Sequence, residues 1–309
     1  MARNFSPWAY WRLRVDTTTA PPLVSREVLT DLLGPPPDMV EPNVEITAIE
    51  QRRGYSVSRV VFDAEAAMSV PALLLIPDGV DERAPAAAVL AVHGHGTTKE
   101  TIDYAPRLAE LGTVVLAPDL RGFGERSDWT PEDRYHCDVD LVNAVLVGTT
   151  PLALNLWDMA RALDVLQSLA FVDRDRLGVC GWSYGGTIAL FLAAWDQRVR
   201  AAVVSCYLSS IAASHRVPWN LCGSQVLPGM AGALDHASLA ALVSPRALIV
   251  ESCEDDHSFP LEAARAAVEA SGAAEIIQHF VVPGDHRFDG TDSLPALVAA
   301  LRQPTASWG

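Results

Sequence analysis

The segment "LGVCGWSYGGTIALFLAAW", Leu177 to Trp195, sets one serine between glycines where an apolar run of strand character meets an apolar run of helical character. Within it, Gly181-Trp182-Ser183-Tyr184-Gly185 matches G-x-S-x-G, the pattern of a sharp strand-to-helix turn that lifts a serine hydroxyl above a sheet. The glycines have a steric reason: strand and helix approach closely there, and a Cβ two positions to either side of the serine would collide. The pattern is weak alone and gains its force from context, a strand before it and a helix after it.

The same alternation continues on both sides. From Ala84 onward short apolar runs such as "AAAVLAVHG", "TVVLAPD", "RAAVVSC", "RALIVES" and "EIIQHFVVPG" interleave with segments of helical period, "PLALNLWDMARALDVLQSL", "PLEAARAAVEA" and "SLPALVAALRQ" among them. Apolar runs of strand length between amphipathic helices predict an α/β fold, a mostly parallel sheet with helices on both faces. In such sheets functional residues gather beyond the carboxyl ends of the strands. Upstream, "VEITAIEQ", "YSVSRVVFD" and "MSVPALLLIP" read as antiparallel strands at one sheet edge, the first two joined by a turn at Arg53-Gly54.

One main, catalytic domain is expected over 43–309, with an N-terminal arm over 1–42, which contains the breaker "GPPPD", packed on it. Stretches at about 122–150 and 207–240 break the strand and helix rhythm. Each follows a predicted strand, so each is expected to wall or roof a pocket.

The chain has 309 residues, half of them apolar, and a formal net charge of −15. That charge argues against a phosphate-binding surface, and nucleic acid is set aside as a partner. Its five cysteines are widely spaced, odd in number and form no C-x-x-C pair, which suggests neither a disulfide framework nor a zinc site. A reducing, cytoplasmic setting is expected, as no leader-like or membrane-spanning apolar stretch stands out. The oligomeric state stays open.

A serine hydroxyl is a poor nucleophile until a base takes its proton and a third group orients that base. Beyond the last apolar run, "VVPGDHRFDG" supplies His286 as the base; His279 sits inside a predicted strand, His236 opens a helix, and His136 and His215 fall in the irregular stretches. "RALIVESCEDDHSFP" supplies the acid: Asp256 at the strand end, with Asp255 and Glu254 as rivals and Glu251 too far back to reach. Backbone amides are the usual donors to a developing oxyanion. The Tyr184 amide follows the nucleophile, and "HGHG", His93 to Gly96, offers a second at His95. Trp182, Trp129, Trp219 and Cys222 are the candidate pocket residues, and no residue set points to a metal or cofactor.

Taken together, these motifs resemble the α/β-hydrolase superfamily, in the chain order Ser183, Asp256, His286. "HGHG", "APDLRGFGERS", "LWDMARALDVL", "CGSQVLPGM" and "PGDHRFDG" are most similar to the dienelactone hydrolase and acetyl xylan esterase group. The resemblance implies Ser183 as nucleophile, His286 as base and then acid, Asp256 as orienter, and the His95 and Tyr184 amides as oxyanion hole. It also implies a structural role for Asp119, Arg121 and Glu125. Where relatives carry G-x-x-D at the acid strand, this chain has Cys253. Where dienelactone hydrolases carry cysteine at the elbow, it has serine, which favours an esterase.

The expected function is therefore cofactor-independent hydrolysis of small carboxylic esters through an acyl-enzyme on Ser183. An amidase, peptidase or acyltransferase would use the same triad, and a non-catalytic binding protein would be expected to have lost part of it.

Overall fold

The computed structural model describes residues 24–128, 136–214 and 221–303. Among these residues nine strands form one sheet: β1 (Glu45–Arg52), β2 (Tyr55–Glu65), β3 (Met68–Pro77), β4 (Ala86–Val92), β5 (Val114–Pro118), β6 (Val172–Trp182), β7 (Val199–Ser205), β8 (Ala247–Cys253) and β9 (Ile277–Val282). Their order is β1-β2-β3-β5-β4-β6-β7-β8-β9. The pairs from β1 to β5 through β3 are antiparallel, and every pair from β5 across to β9 is parallel. The expected α/β-hydrolase architecture, antiparallel at the N-terminal edge, is what the chain adopts.

Among the described residues, eight helices longer than one turn flank or connect the strands: α1 (Arg26–Leu33), α2 (Tyr104–Glu110), α3 (His136–Leu146), α4 (Pro151–Ser168), α5 (Tyr184–Trp195), α6 (His236–Val243), α7 (Leu261–Ala270) and α8 (Ser293–Arg302). A core of residues from α1, α4, α5 and α6 packs on one sheet face, and a second core from α2 and α8 packs on the other. The central strands read as unbroken apolar runs because both faces are covered: in β4, Ala87 to Val92 are all buried.

Local signals explain where the helices begin. Thr150 caps α4 by accepting from the Ala153 amide, and Pro151 occupies the first turn, where its missing N–H is no loss. Helix α5 buries every residue from Tyr184 to Ala194, which accounts for its lack of a polar face. Helix α1 is pinned by Arg26, which donates to the carbonyls of Ala194 (3.1 Å) and Leu242 (2.6 Å), while Leu29 and Leu33 enter the core.

The irregular stretch expected at 122–150 holds α3, which the sequence reading did not foresee. Helix α3 packs against the 3-10 turn Gly223–Gln225 of the second stretch. The contact is close enough that a Cβ on Gly223 would lie 2.3 Å from the Cys137 carbonyl oxygen. The two insertions therefore dock on each other.

Candidate active site

The turn at the end of β6 is fixed by exclusion of side chains. A Cβ on Gly181 would stand 2.0 Å from the Gly185 carbonyl oxygen, and one on Gly185 would stand 1.9 Å from the Val92 carbonyl oxygen. Real atoms do not approach so closely, so only glycine lets β6, α5 and β4 meet here. Ser183 pays for the turn with φ 57° and ψ −116°, a conformation that non-glycine residues rarely hold. Its amide donates to the Ser205 carbonyl (2.9 Å) and its carbonyl accepts from Thr187 (3.0 Å), so both sides of the strained residue are tied down.

The histidine and acid arrive from the two neighbouring strand ends. His286, after β9, has Nε2 at 2.8 Å from Ser183 Oγ and Nδ1 at 2.9 Å from Asp256 Oδ2. Asp256, after β8, has a fully buried side chain, and its other oxygen accepts from the amides of Ser258 (2.8 Å) and Phe259 (2.9 Å). An ordered hydroxyl–imidazole–carboxyl line of this geometry can take a proton from Ser183 and keep the imidazole in the required tautomer. The imidazole is flanked by the rings of Trp182 (5.2 Å) and Phe259 (5.9 Å), which limit its tilt.

Asp255 does not take this place. It is exposed, its amide donates to the Gly284 carbonyl (3.0 Å), and its carbonyl faces His257 Nδ1. Glu254 is also exposed. His279 lies in β9 against Ser252 Oγ (2.9 Å), and His236 is buried at the start of α6, accepting from the Ser209 amide (3.1 Å). His215 lies outside the described residues, as do Trp129 and Trp219.

Tyr184 is the first residue of α5, where an amide has no acceptor within the helix and points outward with the positive end of the helix dipole. The His95 ring stacks on the Tyr184 ring at 4.7 Å, so the two residues with candidate oxyanion amides adjoin. His93 sets that loop from below. Its Nδ1–H donates to the Gly94 carbonyl (2.9 Å), and Nε2 accepts from the Leu120 amide (3.0 Å). Full burial lowers its pKa to about 4, so the ring stays neutral and keeps this donor–acceptor pattern. Sequence reading found "HGHG" and missed this role for its first histidine.

Glu251 was also missed, having been set aside as too far back in the strand. The structure buries it beneath the histidine loop, where it accepts from Ser205 Oγ (2.9 Å), the Asp289 amide (3.0 Å), the Gly290 amide (2.8 Å) and Ser293 Oγ (2.7 Å). Beside it the thiols of Cys206 and Cys253 donate to the Arg287 carbonyl at 3.2 and 3.4 Å. The residues that follow His286 are thus anchored from below. An acidic residue two positions before a cysteine in a core strand was the available signal.

The "DLRGFGE" residues are structural. Asp119 pairs with the buried Lys99 (2.6 Å), which also pairs with Glu125 (2.7 Å), and Arg121 forms a two-pronged bond with Asp158 (both 2.7 Å). Trp182 packs beneath the oxyanion loop: a Cβ on Gly94 would lie 2.8 Å from its ring. Cys222 sits with Sγ at 3.2 Å from His95 Nε2, at the edge of the same loop.

No single helix among the described residues is long and apolar enough to cross a membrane. Comparison with known proteins agrees with this fold. The Bacillus subtilis (strain 168) protein named "Putative hydrolase YtaP" is 30% identical over 195 residues, 59% of this chain, and the chain covers only 62% of that protein's length. The glucuronoyl esterase of Solibacter usitatus is 15% identical with a TM-score of 0.69, covering 94% of this chain and 100% of the other. An acetyl xylan esterase from Paenibacillus sp. R4 is 18% identical with a TM-score of 0.66, covering 89% and 92%. At such identities these structures share the fold. The prolyl oligopeptidase family model matches residues 155–286, and that of acetyl xylan esterase matches residues 38–217, more than half the chain. The chain belongs to the acetyl xylan esterase (AXE1) family.

Proposed function

We propose that the protein is a serine carboxylic ester hydrolase acting on acetyl or other short acyl esters of small molecules. The observation that carries this reading is the unbroken line from Ser183 Oγ through His286 to the buried Asp256, with contacts of 2.8 and 2.9 Å. Family membership and the esterase structures of the same fold support it.

In this mechanism Ser183 attacks the ester carbonyl while His286 Nε2 takes its proton. The amides of Tyr184 and His95 donate to the oxyanion, and His286 then protonates the departing alcohol. Water repeats the sequence on the acyl-enzyme and restores Ser183. Asp256 stays ionised and steadies the imidazolium. Trp182 and Phe259 on either side of His286 favour a small acyl group over a bulky one at this point.

The match to the prolyl oligopeptidase family over residues 155–286 favours amide cleavage as the second reading. Nitrophenyl acetate and a matched nitroanilide, assayed side by side, separate the two. Ester turnover should dominate, should fall about a million-fold in Ser183→Ala by analogy with other serine triads, and should vanish on fluorophosphonate labelling of Ser183. Parent-like ester turnover in Ser183→Ala would sink the proposal.

We assign residues 24–42 to an arm on the catalytic domain of 43–309, supported by the packing of α1 on α5, while residues 1–23 of the expected arm over 1–42 lie outside the described residues. Of the pocket candidates, Trp182 and Cys222 border the site loops. A small-molecule ester is the proposed partner, with neither nucleic acid nor membrane required. A reducing, cytoplasmic setting is supported by the thiol pair Cys206 and Cys253, whose sulfurs lie 3.6 Å apart without a bond.

A further inference from the structure

We propose that His95, Cys137 and Cys222 form a zinc-binding site at the junction of the oxyanion loop with the two pocket insertions. Three segments far apart in sequence bring these donors together: the loop after β4, the first turn of α3, and the residue before the turn Gly223–Gln225. One donor atom from each, the His95 imidazole nitrogen and the two thiol sulfurs, lies within 4.8 Å of the others. Cys222 Sγ is already 3.2 Å from His95 Nε2. Zinc holds sulfur at about 2.3 Å and imidazole nitrogen at about 2.0 Å, so tetrahedral ligand atoms stand roughly 3.5–3.8 Å apart. Shifts on the order of 1 Å close the site around such an ion.

The surroundings hold each ligand in place. The His95 ring is stacked on Tyr184 and meets the edge of Phe123 at 5.6 Å, which fixes its plane. The Cys222 amide donates to Gln225 Oε1 (3.4 Å), and the buried Gln225 donates in turn to Thr187 Oγ1 (3.0 Å) on α5. Asp138, beside Cys137, accepts from the Gly223 amide (2.9 Å) and adds negative charge where a cation would sit. Cys137 is buried and Cys222 half-buried, leaving a path from solvent on one side. Such outer partners orient metal ligands and are as much a part of a site as the ligands themselves.

Zinc displaces the two thiol protons, which pass to solvent, and the neutral imidazole binds through Nε2 with its proton on Nδ1. Two thiolates and one imidazole leave a fourth position for water. His136, whose ring nitrogens are 3.9 Å from Cys137 Sγ, stands nearby and is paired with Asp140. Coordination through the His95 side chain would clamp the segment that carries the candidate oxyanion amide. It would also lock both insertions to that segment. A second donor cluster, Cys206 with Asp256 and His286, is less suited, because its imidazole and carboxyl are already engaged with each other and with Ser183.

The test uses the full chain, reduced with a phosphine and stripped of metal, titrated with Co²⁺ and then Zn²⁺. The expected result is one equivalent of Co²⁺ with thiolate-to-cobalt charge-transfer absorption and tetrahedral visible bands, displaced by one equivalent of Zn²⁺. Cys222→Ser should weaken binding at least tenfold, and the Cys137→Ser/Cys222→Ser pair should abolish it. Absence of the charge-transfer band, or its persistence in the double variant, would overturn the site. Its loss only in Cys206→Ala would also overturn it, by placing the metal at the other cluster. Should the variants fail to fold, the parent alone decides: Zn²⁺ must protect Cys222 from iodoacetamide, read by peptide mass spectrometry, and equal labelling with and without Zn²⁺ refutes the proposal. None of these readouts requires ester turnover, so they stand or fall apart from the hydrolase reading.

Discussion

The turn that carries Ser183 and the loops that carry Asp256 and His286 lie at the carboxyl ends of β6, β8 and β9 in one sheet, with β7 between the elbow and the other two, yet they are held by different physics. The elbow is specified by repulsion: β4, β6 and α5 come so close that a methyl group at Gly181 or Gly185 would overlap backbone atoms by more than an ångström. The acid and histidine loops are specified by attraction. Two amides fix Asp256, and three of the four donors on Glu251 anchor the segment after His286, the fourth being Ser205 Oγ on β7. A packed contact tolerates no intermediate state, whereas a hydrogen-bonded loop can loosen by degrees. Substitutions in the first region should abolish structure, and substitutions in the second should grade activity.

The largest effect is expected at Gly185→Ala. Its Cβ would fall 1.9 Å from the Val92 carbonyl oxygen and 2.9 Å from that of His93, both backbone atoms of the strand end that launches the oxyanion loop. No rotamer change relieves such overlap, so β4 must shift. Destabilisation above about 4 kcal/mol is expected, beyond the usual range for single substitutions. Soluble yield and thermal melting report it. A variant that melts with the parent would show the elbow to be far softer than its geometry requires.

Asp256→Asn probes the attractive side at its strongest point. The amide can still accept from Ser258 and Phe259 through its oxygen, so the loop should hold while the –NH₂ group faces His286 Nδ1 and favours the wrong tautomer. A drop of about 10⁴-fold in kcat with melting near that of the parent is the expected outcome, as in other triads altered this way. Retention of a tenth of the parent rate would remove Asp256 from its orienting role.

Legibility in the sequence follows the same division. Repulsion leaves a local mark: G-x-S-x-G at 181–185 is readable because every residue that must be small lies within one turn, and the apolar runs that become β4, β6, β7 and β8 are readable because both sheet faces are covered. Attraction across the fold leaves little. Glu251 looked like a strand residue out of reach, and nothing local announces that its partners are Ser205, Asp289, Gly290 and Ser293. His93 was read as part of a loop motif, while its tautomer is set by the amide of Leu120, 27 residues away. The clustering of His95, Cys137 and Cys222 is the extreme case, since no spacing rule joins three residues on three separate segments. Helix α3 was hidden for a related reason: it is short, and valines and a leucine such as Val142 and Leu146 stay exposed, so no clean amphipathic period marks it.

Glu251→Gln tests the graded response. A carboxyl that accepts four hydrogen bonds becomes an amide with two donors of its own, and two of the four partners lose their acceptor in a buried site. The Asp289–Gly290 backbone should then relax and carry His286 off line by a fraction of an ångström. A misplacement of about 1 Å can cost on the order of 100-fold in rate. The expectation is a loss approaching that size in kcat, with KM nearly unchanged and a folded protein by circular dichroism. Collapse of the fold would move Glu251 into the category of the elbow glycines and erase the contrast.

Asp255→Asn should do almost nothing, and that is what makes it informative. Asp255 adjoins the triad acid and carries the same functional group, so sequence alone left the two as rivals. In the structure its contribution runs through the backbone: the amide bonds to Gly284 and the carbonyl faces His257, while the side chain is exposed. Asn preserves that backbone geometry, and exposed substitutions of this kind usually stay within about 0.5 kcal/mol. Turnover of nitrophenyl acetate should remain within about twofold of the parent, since 0.5 kcal/mol corresponds to little more than that in a rate constant. Two adjacent aspartates would then differ by a factor of thousands for one reason, that only Asp256 is turned inward and held by amides at the one oxygen His286 does not use. A large loss in Asp255→Asn would mean that the charge of the exposed carboxylate reaches the imidazole, and the attractive half of the site would have to be redrawn around two acids instead of one.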